Sequence, residues 1–387
     1  MDKLFGLLYR SPADPHPLLK RLRAERPVTP IRLPSGETGW LVTRHDDVRR
    51  CLADDRLIKD GSTSVTGDRF AASDADWRAT GRHLLSLDPP EHTGLRRVVQ
   101  GAFTRQRIER LRGFVRATTT RLLDDLATDG EHDFIAEFAV PLPIQVLSEL
   151  LGVPANDRGA FRQWTLALTG AASPEGRASA RSDLLAYIRK LLAAKSDAPG
   201  PDLMSALLVS ESLSRDELTS MVTMLLIAGH DTTVNLLGNG MHLLLTHPAQ
   251  RDLLIEQPEL MPLAVDEMLR FDSPAQSATH RRTTADITLG DQTIPAGTTV
   301  LLSLLSANRD LPGADTFDVE AATPSHLAFG HGIHHCLGAP LARLEAEVAF
   351  AALLRRFPRM RLRDDFRPAW RLSALVHGLE SLPVRTA

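Results

Sequence analysis

Ten residues, Phe329-Gly330-His331-Gly332-Ile333-His334-His335-Cys336-Leu337-Gly338, place one cysteine in a glycine-bracketed loop just before a helix-forming stretch. Glycines let a backbone turn tightly and approach a ligand closely. Free backbone N–H groups at a helix N-terminus favour an anionic sulfur. The loop therefore reads as a cradle for a metal-bound thiolate. His331, His334 and His335 crowd it, which leaves zinc open as the metal. Zinc sites, however, usually pair Cys and His on both sides of a turn, and the chain's only other cysteine, Cys51, lies far away in sequence. A buried cysteine in a turn, with no metal, is the plain alternative.

A second group is Ala228-Gly229-His230-Asp231-Thr232-Thr233. Gly229 weakens a helix by about 1 kcal/mol relative to Ala. Thr232 can bond back to a carbonyl one turn earlier and bend the helix. Asp231 is costly to bury without a partner. Three weaknesses together, in the middle of a long apolar helix, mark a functional interruption or a water-filled kink. Glu267 and Arg270, at i, i+3, form an ion pair that by itself reads as a surface pair. His92 and Arg96, at i, i+4, share a helix face that can bind an anion or simply face solvent.

These groups need long helices to position them. From Leu218 to Gln250 the only formal charge is Asp231. Its polar middle makes a membrane span costly, so a helix buried through one large core fits better. Ser214 and Glu217 open it as a capping box, and His247-Pro248 close it. About 30 residues at 1.5 Å each give roughly 45 Å. Asp88-Pro89-Pro90 is expected to start a helix with Asp88 as N-cap, and Pro340 to start the last long one. A hairpin is expected within Ile31–Thr43, a helix capped by Asp46 or Asp47 after it, and a loop at Asp60–Asp76. Ile287–Leu289, a Gly290-Asp291 turn, Ile294 and Val300–Leu304 read as strands. The fold class is mainly α with minor β. It is expected as one domain over 1–387, with β-containing parts near 28–45 and 280–305 and a helical core near 88–272 and 339–357.

The composition agrees with a folded globular protein. The 387 residues are 43% hydrophobic and 24% charged, with a net charge of −3, which argues against wholesale disorder and gives no general attraction to nucleic acid or acidic membranes. Two cysteines cannot make a disulfide framework, so a reducing, cytoplasmic setting is expected. The short apolar patch Leu4–Tyr9 has no cleavage pattern and reads as no targeting signal.

Taken together, the motifs resemble the cytochrome P450 haem-thiolate family in its short bacterial form, over roughly Pro89 to the C-terminus. Phe329, Gly332, His334, Cys336 and Gly338 match its Phe-x-x-Gly-x-His-x-Cys-x-Gly pattern. Ala228–Thr233 matches its Ala-Gly-x-Asp/Glu-Thr-Thr motif, and Glu267 with Arg270 matches Glu-x-x-Arg. The resemblance implies a helix-rich triangular fold with a small β-sheet region and haem b bound through Cys336 as proximal ligand. It implies that His92, Arg96, Arg281 and His334 hold the haem propionates, with Arg282 a one-residue alternative to Arg281. Phe329, Gly332 and Gly338 would shape the thiolate loop. Asp231 and Thr232 would organise water and deliver protons during oxygen activation. One departure stands out: Ala321 replaces the Arg that often joins the Glu–Arg pair, with His326 a candidate substitute.

The implied activity is insertion of one oxygen atom of O2 into a C–H or C=C bond of a small, largely apolar molecule in secondary metabolism. A chain this short leaves no room for a fused reductase, so electrons are expected from a separate ferredoxin and its reductase. No nucleic-acid or membrane partner is implied. The pocket would draw on Asp60–Leu87, Arg158–Leu192, Met224–Thr232, Ser273–Thr279 and Leu375-Val376, and none of these segments names the substrate. The alternatives are oxidative coupling, cyclisation or desaturation on the same haem-thiolate fold and, more remotely, a haem sensor or a zinc-structured module.

Overall fold

The computed structural model describes residues 3–59, 81–126, 130–169, 173–210, 213–310, 313–321 and 326–386. The loop expected at Asp60–Asp76 lies outside them.

Local signals set many of the element boundaries. Helix α1 (His16–Glu25) follows Pro15 and leads into the hairpin β1 (Val28–Arg32) and β2 (Thr38–Val42). Helix α2 (His45–Ala53) is preceded by Arg44 in an extended conformation, so neither Asp46 nor Asp47 caps it. Both lie in its first turn, where a carboxylate suits the positive end of the helix dipole. The short strand β3 (Leu57–Ile58) follows. Helix α3 (Glu91–Ala102) begins behind Pro90, and Asp88 does not cap it as the sequence led us to expect. The Asp88 carboxylate instead accepts the Lys59 backbone N–H at 2.7 Å.

Thr104 caps α4 (Arg105–Asp125), accepting from the Arg107 N–H. Strand β4 (Glu131–Asp133) falls within the stretch read as helical, because its partner is the distant C-terminal strand. Helices α5 (Pro141–Leu151), α6 (Arg158–Thr169) and α7 (Pro174–Asp197) lead to α8 (Arg215–Thr246), where the Ser214–Glu217 capping box is complete. Helix α9 (Met261–Phe271) precedes four strands: β5 (Arg281–Thr283), β6 (Ile287–Leu289), β7 (Gln292–Ile294) and β8 (Thr299–Leu302). Helix α10 (Ala339–Arg356) and strands β9 (Arg361–Leu362) and β10 (Pro383–Arg385) follow.

The main sheet runs β1-β2-β8-β5-β3. β2 and β8 are parallel and the other pairs antiparallel. Every residue of β8 is buried, because the strand has a core on each face. Val300 and Leu302 join one cluster with Val42 and Cys51, and Leu301 joins another with Leu19 and Ile31. That is the two-residue alternation of a strand covered on both sides.

The largest core gathers the helices around α8. Each Leu or Phe it fully buries contributes roughly 1.5–3 kcal/mol. Gly240 shows how closely the helices approach: a Cβ there would meet Phe350 of α10 at 2.5 Å and Met268 of α9 at 2.8 Å. Among the described residues, no helix is long and apolar enough to cross a membrane.

Candidate active site

The cysteine loop joins the main sheet region to α10. Gly330 and Gly332 have φ of 72° and 73°, left-handed values that favour glycine. At Gly332 a Cβ would also stand 3.0 Å from the Leu52 carbonyl oxygen of α2. The Cys336 N–H donates to the Phe329 carbonyl at 2.9 Å and closes the loop. Gly338 is the N-cap of α10. The Cys336 side chain keeps accessible surface yet is set deep among protein atoms. Burial pushes its thiol pKa up, against the N–H groups of Gly338 and Ala339, which donate to the sulfur, and the charges of Arg96 and Arg343. A bound metal cation would turn this balance toward the thiolate. The Arg343 guanidinium lies over the Phe329 ring, 4.6 Å from its centroid, and donates to Asp266 at 2.7 Å. Cys51, by contrast, sits in an apolar cluster with its thiol pushed up to about 12 by burial, the setting of an inert cysteine.

Beside the loop lies a buried cluster of basic side chains. His92 is in the first turn of α3, and its ring centroid is 4.4 Å from that of His334. His334 Nδ1 lies 3.1 Å from the Leu84 carbonyl. Arg281, on β5, donates from Nη1 to the Leu57 carbonyl at 3.3 Å. Arg96 donates to the His335 carbonyl at 2.7 Å. Among the described residues, His92 Nε2, His334 Nε2 and Arg281 Nε are buried without a hydrogen-bond partner. Such orphans are uncommon and call for a ligand or water. Burial, with Lys59, Arg281 and His92 nearby, holds His334 down to about 3. Burial also lowers His92 and Arg281.

Lys59 belongs to the same cluster, and sequence reasoning missed it. It is 7% exposed, and burial together with Arg281 holds its pKa well below the usual lysine value. Its chemistry could not be read from a lone lysine beside a polar loop.

On α8, Thr232 donates its hydroxyl to the Ala228 carbonyl at 2.7 Å, the back-bond expected from sequence, and Thr233 does the same to Gly229 at 2.9 Å. Asp231 Oδ1 accepts from Arg371 Nη1 at 2.5 Å. Arg371 also donates to the Thr169 carbonyl, at the end of α6, at 3.0 Å. No local sequence signal joins Arg371 to Asp231. Two of the segments expected to line the pocket do meet: Ala275 bridges Val376, and the Gln276 N–H donates to the Leu375 carbonyl at 2.9 Å.

Glu267 and Arg270 are 0% and 4% exposed, so the surface-pair reading fails. Their two hydrogen bonds are each 2.7 Å. The expected substitute, His326, does not join them. It lies 3.5 Å from Asp266 instead, because adjacent helix positions point about 100° apart. The Glu267 carboxylate takes its further donor from the backbone, the Asp318 N–H at 3.1 Å. Arg270 reaches the carbonyls of Asn308, Ala314 and Thr316.

A cysteine at a helix N-terminus, beside buried basic side chains with orphaned nitrogens, suits a prosthetic group bearing both a metal and carboxylates. Comparison with known proteins identifies the group. A family model described as Cytochrome P450 matches residues 177–365. "Cytochrome P450 107B1" of Saccharopolyspora erythraea is 45% identical, over 96% of this chain and 95% of that protein. "Polyketide biosynthesis cytochrome P450 PksS" of Bacillus subtilis is 38% identical, over 96% of this chain and 95% of that protein. The solved structure of the tirandamycin C-bound P450 monooxygenase TamI is 42% identical with a TM-score of 0.87, covering 100% of this chain and 99% of that one. The chain belongs to the cytochrome P450 family. It has that family's mainly helical fold, is an oxidoreductase of the monooxygenase type, and takes haem b held through a cysteine thiolate.

Proposed function

We propose that the chain inserts one oxygen atom of O2 into a C–H or C=C bond of a small, largely apolar secondary metabolite of the polyketide kind. Electrons come from a separate ferredoxin and its reductase. The substrate class rests on the relatives named for polyketide biosynthesis and solved with tirandamycin C bound. A cytoplasmic setting and a single domain over 1–387 go with this reading. Neither cysteine is in a disulfide, as a reducing compartment favours.

In this reading Cys336 is the thiolate ligand, and His92, Arg96, Arg281 and His334 hold the haem carboxylates. Gly332 lets the loop pass close to α2, Gly338 opens α10 behind the sulfur, and Phe329 anchors the Cys336 N–H. The haem supplies the iron at which O2 is reduced, and its thiolate favours O–O cleavage. The Thr232 hydroxyl already donates to Ala228, so its oxygen lone pairs remain to hold a water. Asp231 stands one residue away as the carboxylate that passes protons to such a water.

The observation that carries the reading is the set of orphaned nitrogens on His92, Arg281 and His334 beside the cysteine loop. Its test is optical. Reduced protein with CO is expected to show the red-shifted Soret band of thiolate-ligated haem, and Cys336→Ser to abolish it. A histidine-type spectrum in the parent protein, or an unchanged band in Cys336→Ser, would refute the assignment. A relative 34% identical that forms a C–S bond supports a second reading, oxidative coupling. Product mass separates them: insertion adds one oxygen, and intramolecular coupling removes two hydrogens.

A further inference from the structure

The pairing of the outer sheet strands brings two basic side chains near each other. Leu57 of β3 pairs with Thr283 of β5, and Ile58 with Arg282. Just past the end of β3 the chain carries Lys59 toward Arg281, close enough for the guanidinium charge to act on the lysine. The two side chains are 7% and 3% exposed. Like charges held near each other repel, and burial makes each harder to keep charged. The neighbouring carboxylate, Asp88, is partly engaged already: its Oδ2 accepts the Lys59 backbone N–H at 2.7 Å. The Lys59 ammonium donates to the Thr279 carbonyl at 3.0 Å and to the Thr279 hydroxyl, which accounts for two of its three N–H donors. Beside these cations stand the orphaned nitrogens of His92, His334 and Arg281 itself.

Such a concentration of buried basic side chains, with nitrogens left unpartnered, suits an anionic ligand. We propose that Lys59 is a further haem-anchoring residue, its ammonium neutralised by a haem carboxylate in the holoprotein. This rests on the reading that the His92–Arg281–His334 cluster holds those carboxylates. Lys59 acts on binding and position of the cofactor and takes no part in the oxygen chemistry. Burial and the nearby Arg281 already hold its pKa well down, as expected of a cation whose counter-charge comes with the ligand.

The test uses the holoenzyme and its Lys59→Met, Lys59→Gln, Lys59→Arg and Arg281→Gln variants. Two quantities are measured: the rate of haem transfer to excess apomyoglobin, and the propionate bending band in the resonance Raman spectrum. Lys59→Met and Lys59→Gln are expected to lose haem about tenfold faster, as for a lost hydrogen bond between charged groups. Both should shift the propionate band, and Lys59→Arg should restore rate and band toward the parent values. Two results would overturn the inference while leaving the carboxylate cluster intact. One is parent-like transfer and band in both neutral variants while Arg281→Gln changes them. The other is a lowered melting temperature in the neutral variants with an unmoved band, which makes Lys59 a purely structural tie to Thr279. If Arg281→Gln also changes neither quantity, the cluster does not hold the carboxylates and both readings fall together.

Discussion

Thr232 is fixed by its own helix. Its hydroxyl bond to Ala228 sets the side chain's rotation and decides which of its hydrogen-bonding capacities remain. Thr232→Ala is therefore expected to leave the haem spectrum and thermal stability near the parent values. It should lower product formed per electron pair by roughly tenfold, as loss of a positioned proton-transfer group does, with hydrogen peroxide rising to match. Peroxide and product assayed together check this, and unchanged coupling would remove the water-holding role. This back-bond was legible in the sequence because it is local. The partner of Asp231 was not, since Arg371 is 140 positions away and meets it only through packing of the C-terminal segment. Lys59 escaped notice for the same reason, because its meaning comes from strand pairing.

At the scale of elements, α9 and the chain after β8 are joined by the Glu267–Arg270 pair. The i, i+3 spacing showed that the two could meet, but burial depends on carbonyls at 308, 314 and 316 turning toward one guanidinium. Breaking a buried pair by removing one partner leaves an uncompensated charge and costs about 3–5 kcal/mol. Arg270→Met is expected to lose that much in urea unfolding. The double variant Glu267→Gln/Arg270→Met should lose less than the two single losses added together, because the pair acts as a unit. Additive losses would contradict a direct interaction. The capping box of α8 and the β6–β7 hairpin were readable for the opposite reason, since both are set by residues a few positions apart.

Across the whole molecule, one carboxylate gathers distant parts of the chain. Asp272, just past α9, is 3.0 Å from His16 Nε2 on α1 and 3.0 Å from His377 Nε2 in the C-terminal segment. The Trp370 ring stacks on His377 at 4.1 Å. Burial alone would raise the Asp272 pKa, but His377 and His16 hold it well below the usual carboxylate range. Burial lowers His16. The unfolded chain takes up the His16 proton near pH 6.5 and the folded chain only lower, so folding stability falls as pH drops below about 6.5. The Asp272 contribution has the same sign and is lost at still lower pH, below the unfolded carboxylate value near 4. The urea midpoint is expected to drop between pH 7 and pH 5, and His16→Gln to narrow that drop. An unchanged drop in His16→Gln would place the acid sensitivity elsewhere.

This three-way tie also bears on how the protein comes into being. His16 leaves the ribosome long before its partners Asp272, 256 positions further on, and His377. The apolar cluster beneath α1 likewise waits for Leu301 and Leu305. Birth order and assembly order therefore run opposite ways at this end of the molecule. Helix α1 spends that interval with its apolar face unsheltered, and the residues that close over it are made long afterwards.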